Sequence, residues 1–230
     1  MDDRRTDPAD EQTLDPTVRP LDPGDEPPAD AADALAIIAA ASGRARTTYP
    51  SGAFLFLLWG TVWLVGYGAL WLSTAAGAGR DTPSLPAAVV AIGLGVAGLG
   101  LTLWHVLRRS RGVTGTSART GALYGWSWPV GFLAQALIVT SLAQAGASSQ
   151  VTSLASNALA ALVVGLLYLA GGALWDDLPM YLLGAWITLV GAASALVGMP
   201  GTYLAMSLAG GGGMVVAGTV VWVRCRVRRD

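Results

Sequence analysis

Apolar positions in this chain come in blocks, not in stripes. Windows near 53–75, 85–107, 121–143, 154–175, 179–198 and 203–223 contain no Asp, Glu, Lys or Arg. Each is long enough to cross a hydrocarbon core about 30 Å thick. A lone strand would leave its backbone groups unpaired in lipid, whereas a helix pairs its own. The pattern therefore predicts an all-α fold, a polytopic membrane helix bundle with six transmembrane helices over residues 53–223. The junction Asp176-Asp177-Leu178-Pro179 predicts a tight turn between the fourth and fifth spans. Two adjacent carboxylates and a proline make an unbroken apolar helix there costly.

The flanks are polar. Residues 1–30 are dominated by Asp, Pro, Glu and Thr, too little apolar surface to offset the entropy of ordering a chain, so a disordered acidic tail is expected. With no basic n-region ahead of an apolar core, it is not read as a signal peptide. Residues 31–52 predict a short juxtamembrane helix and linker. Asp30 or Asp33 would cap it, Leu35, Ile37 and Ile38 would form a narrow apolar face, and it would end near Gly43. Residues 224–230 form a basic tail.

Charge adds a direction. The first 33 residues carry eleven acids and three arginines, the remainder four acids and eleven arginines. All basic residues are arginine, a bias that, with heavy alanine use, suggests a bacterial genome. Arg44 and Arg46 precede the first span. Arg108, Arg109, Arg111 and Arg119 lie between the second and third, and Arg224, Arg226, Arg228 and Arg229 follow the sixth. Six spans put all of these on one side and leave Arg80 on the other. Basic residues stay on the cytoplasmic side, so both termini are expected in the cytoplasm, beneath a plasma membrane crossed several times. Five spans would move the last cluster outside. Trp104, Trp126, Trp128, Trp175 and Trp222 fall near the predicted inner interface and Trp71 near the outer one, as ring systems with a wet N–H do.

Lipid offers helices no hydrophobic gain for joining, so small residues that let backbones approach become candidate packing positions. Ala205, Ala209, Gly213 and Ala217 form one stripe at four-residue spacing in the sixth span; Gly93 and Ala97 form a shorter one in the second. Gly210-Gly211-Gly212-Gly213 reads either as a tight crossing or as a locally opened helix. The intramembrane polar candidates are Gln135, Asn157 and Tyr168, and each amide is expected to bond a neighbouring helix or line a path. His105 is the single histidine, so no metal site is expected of it; it reads as an interfacial or pH-sensing residue. Tyr124, Trp126 and Trp128 are a conceivable aromatic cage. Cys225 is the single cysteine, which excludes an internal disulfide. No nucleophile–base set, phosphate loop or dinucleotide glycine pattern is visible, so no enzyme activity and no cofactor are expected.

Trp63-Leu64-Val65-Gly66-Tyr67-Gly68-Ala69-Leu70-Trp71-Leu72 resembles a segment of a family of actinobacterial multi-spanning integral membrane proteins with no assigned activity. Gly198-Met199-Pro200-Gly201-Thr202-Tyr203-Leu204-Ala205-Met206 resembles a second shared segment. The resemblance covers residues 35–223 and implies a leader and short helix ahead of the spans. It also implies an association with winged-helix regulators or a transporter role, and carries no functional residues. Two functions are thus open. One is a non-enzymatic accessory or regulatory membrane component acting through a protein partner or as a homo-oligomer. The other is a small permease for a neutral or apolar solute, in which Gln135, Asn157 and the glycine run would line the path. The basic clusters are expected to meet anionic lipid and not nucleic acid.

Overall fold

The structure is a computed structural model that describes residues 30–32, 34–36, 52–77, 82–110 and 115–227. Its two units are residues 1–46 and 47–230. In the first, residues 31–32 and 34–36 are helical, and the Ala34 amide donates to the Asp30 carbonyl at 3.1 Å. The predicted tail before Asp30, the rest of the juxtamembrane segment, Arg44, Arg46, Arg80, Arg111, Arg228 and Arg229 lie outside the described residues.

Among its described residues the second unit has no strand and holds six helices long and apolar enough to cross a membrane. They are α1 (Gly52–Ala75), α2 (Leu85–Arg109), α3 (Thr116–Gln144), α4 (Ser149–Leu174), α5 (Leu178–Val197) and α6 (Gly201–Val227). Helix starts follow the local chemistry. Ser84 and Ser148 cap α2 and α4, their hydroxyls accepting from the amides of Ala87 and Val151. At the α4–α5 junction the predicted tight turn forms. Asp176 takes a positive φ of 53°, the Asp177 amide donates back to the Gly172 carbonyl at 2.8 Å, and the Asp177 carboxylate accepts from the Met180 amide at 3.0 Å. One carboxylate thus ends up as a helix cap, satisfying a donor that has no partner within the helix.

Packing follows a different order from the sequence. The helices contact one another in the series α2–α1–α6–α5–α4–α3. Consecutive α2 and α3 therefore stand at opposite ends of it: α2 rests mainly on α1, and α3 on α4. No residue of α3 is buried. The outward leucines, valines and isoleucines of α2 and α3 are positions for acyl chains, which cover apolar surface at no cost.

Two glycine crossings hold the series together. At α4–α5, a Cβ on Gly165 would lie 2.8 Å from the Thr188 amide nitrogen and 2.9 Å from the Gly184 carbonyl oxygen. A Cβ on Gly184 would lie 2.8 Å from the Gly165 carbonyl. Gly172 meets the Tyr181 backbone and Gly191 meets Ala161 in the same seam. At α1–α6, a Cβ on Gly211 would lie 2.5 Å from the Leu64 amide nitrogen, and one on Gly60 2.8 Å from that of Val215. Gly218 meets Leu57. Gly165 and Gly172, Gly184 and Gly191, and Gly211 and Gly218 are each seven residues apart. Two turns of helix return to nearly the same face at that spacing.

Of the packing stripes read at four-residue spacing, the one in α2 faces outward and the one in α6 packs beside the main seam. Gly93 has open space where a Cβ would be, and Gly93 and Ala97 both face outward; α2 meets α1 through Ala91 at Gly66 and through Gly98 at Val62 and Trp59 instead. In α6 the buried seam against α1 passes through Ser207, Gly211, Met214 and Gly218. The half-buried Ala205, Ala209, Gly213 and Ala217 flank that seam, with Gly213 and Ala209 against Trp186 of α5.

Candidate functional site

Among the described spans α6 changes its helical hydrogen bonding at Met206–Gly211, which forms a π-helical turn. The glycine run predicted to be either a tight crossing or an opened helix is both widened and tightly packed, without a break. The Gly212 amide reaches the Ser207 carbonyl across the wider ring. The Ala209 carbonyl also accepts from the Trp186 indole N–H at 2.8 Å. The Ser207 hydroxyl donates to the Leu64 carbonyl of α1 at 2.7 Å. The turn is therefore gripped from both sides by donors to backbone oxygen. Gly210 lies under the Trp63 ring, 3.1 Å from where its Cβ would be. π turns recur at functional positions in helices; this one is built from backbone, a hydroxyl and an indole, with no group able to exchange a proton near neutral pH.

Below it, Thr202 is buried and donates to the Ser194 carbonyl at 2.9 Å, linking the α5–α6 turn. Trp59 donates to the Thr102 hydroxyl at 3.0 Å, and Thr102 to the Gly98 carbonyl at 2.8 Å, tying α1 to α2. Among the described residues every buried side-chain nitrogen and oxygen has a hydrogen-bond partner. Unpaired polar groups are expensive in an apolar surrounding, which is the physical reason for this completeness.

The polar candidates read from the sequence engage separate partners. Gln135 donates from α3 to the Ser156 carbonyl of α4 at 3.2 Å. Asn157 donates within α4 to the Ser153 carbonyl at 2.8 Å. Tyr168 is buried between Phe56 and Trp128, each ring centroid 5.8 Å away. His105 stacks on Phe54 of α1, centroids 4.4 Å apart. The conceivable cage of Tyr124, Trp126 and Trp128 does not form. Trp126 is 68 % exposed, while Tyr124 packs edge-on to Trp175 at 4.7 Å and donates to the Leu167 carbonyl. Trp126 and Trp128 are two apart, so on a helix they point to different faces.

The described arginines, by contrast, share one end of the bundle. Phe54 stacks on His105, Leu57 meets Gly218, Asp177 comes within 3.9 Å of a Cβ on Gly52, and Tyr124 meets Trp175. The start of α1, the end of α2, the start of α3, the α4–α5 turn and the end of α6 thus share one end of the bundle. Arg108, Arg109, Arg119, Arg224 and Arg226 belong to that end. Arg108 lies over the Trp104 ring at 5.3 Å and Arg226 over the Trp222 ring at 4.0 Å.

Sequence reasoning missed Trp186, Ser207 and Thr202. The available signal was a tryptophan at mid-span, far from either interface, whose N–H has to find an acceptor. Comparison with protein-family models, with curated proteins and with solved structures finds no match.

Proposed function

We propose that the chain is a non-enzymatic component of a bacterial plasma membrane that acts through a protein partner or by self-association. The observation that carries this reading is where the polar side chains go. Gln135 and Asn157, the two amides that a permease path would need, are both hydrogen-bonded to backbone carbonyls within the bundle. The outer helices α2 and α3 meanwhile leave most of their surface open, so a further transmembrane helix has room to pack there. The test is purification in mild detergent with the mass of the native complex determined. A second protein in fixed stoichiometry with the 23.5 kDa chain is the expected result. A lone monomer would move the case to a permease for a neutral solute, and Gln135 and Asn157 would be the first residues to change.

Both termini and the arginine end face the cytoplasm in this reading, because arginine resists translocation. A cytoplasm-active reporter fused after Asp230 is expected to be active, and one inserted near Asp81 silent. The opposite result at either position overturns the orientation.

A further inference from the structure

We propose that the arginine end carries two like sites for an anionic phospholipid, one at Trp104–Arg108 on α2 and one at Trp222–Arg226 on α6. The two pairs share one construction. Each places tryptophan four residues before arginine, which stacks them on one helix face, and each guanidinium lies over its ring. Each pair occupies the last turns of its helix, beside a further arginine, Arg109 in α2 and Arg224 in α6. The two helices flank the first turns of α1, α2 through His105 on Phe54 and α6 through Gly218 on Leu57.

The chemistry names the ligand. A guanidinium presents a planar fork of donors that matches a phosphate. Held over an indole, it has less conformational freedom to lose on binding. Trp104 and Trp222 are 54 % and 45 % exposed, leaving apolar surface for acyl chains. Leu103, Leu107, Val223 and Val227 are exposed on the same turns. A soluble anion would engage the guanidinium alone and make no use of that apolar surface. An anionic phospholipid supplies both the phosphate charge and the apolar body.

The experiment uses the full chain in nanodiscs containing phosphatidylcholine and phosphatidylglycerol in equal parts, with retained lipid counted by native mass spectrometry. Preferential retention of phosphatidylglycerol is expected, on the order of tenfold for two such arginines. Arg108→Gln with Arg226→Gln is expected to abolish the preference, while Arg119→Gln, at the same end but outside both pairs, leaves it. Trp104→Leu with Trp222→Leu keeps every charge and is expected to lower the preference several-fold, so the sites stay testable if loss of arginine disturbs insertion. Inorganic phosphate is expected not to displace the lipid. Equal retention of the two lipids, an unchanged preference in either double variant, loss with Arg119→Gln, or displacement by phosphate would each overturn the proposal.

Discussion

Gly211→Ala is expected to destabilise the bundle by about 2 kcal/mol, while Gly212→Ala, one residue on, leaves it unchanged or slightly more stable. The new Cβ at 211 would sit 2.5 Å from the Leu64 amide nitrogen and 2.9 Å from the Gly60 carbonyl oxygen. Both are backbone atoms of α1 and cannot rotate aside, so the helices must separate. Separation also stretches the 2.7 Å bond from Ser207 to Leu64, a further loss of roughly 0.6 kcal/mol by the average for such bonds in membranes. At 212 nothing lies within 4 Å of the added methyl, and the backbone is already right-handed helical at φ −59°. There alanine's helix preference of up to about 1 kcal/mol in water is the only effect left. Unfolding of each variant in mixed micelles by added dodecyl sulfate measures the difference. Equal stability of the two would show that α1 and α6 do not cross where the structure has them cross.

The α4–α5 seam makes the second expectation, and it concerns coupling. Gly165→Ala and Gly184→Ala are each expected to cost about 1–3 kcal/mol, because each methyl would press on the other helix's backbone at 2.5–2.9 Å. The double variant is expected to cost far less than the sum. Once the first methyl has pushed the helices apart, the second enters space already opened, and neighbours that share a contact are not additive. A double-mutant cycle in the same micelles reads this out, with Gly93→Ala as the reference for a glycine in open space. Additive costs would mean that the two glycines act through different neighbours.

The spans were legible because the membrane imposes one rule on every segment: twenty or so apolar residues, backbone paired internally. Hence windows placed at 53–75, 85–107 and 179–198 differ by only a residue or two from α1, α2 and α5. Asp176-Asp177-Leu178-Pro179 was equally legible, since charge and proline each oppose a continuous span. The candidate site was not. Gln135 and Asn157 are conspicuous as letters, yet hydrogen bonds to Ser156 and Ser153 engage both. Ser207 and Trp186 are inconspicuous, yet they hold the π turn. A polar residue's role depends on which carbonyl stands opposite, and that carbonyl belongs to a distant part of the chain.

Taken alone, then, the amino-acid sequence determined the number of membrane-length helices, the ends of α1, α2 and α5, the turn at Asp176-Asp177 and the placing of the described arginines at one end. All of these follow from local transfer energies and from an alternation that any six-span chain must obey. Only the tertiary structure decided that α1 pairs with α6 and α4 with α5, that α2 and α3 stand apart, and that glycines seven residues apart make the seams. Every face of these helices is apolar, so hydropathy cannot say which face meets lipid and which meets protein. That choice is made by shape, through the few positions where two backbones can approach within the radius of a methyl group.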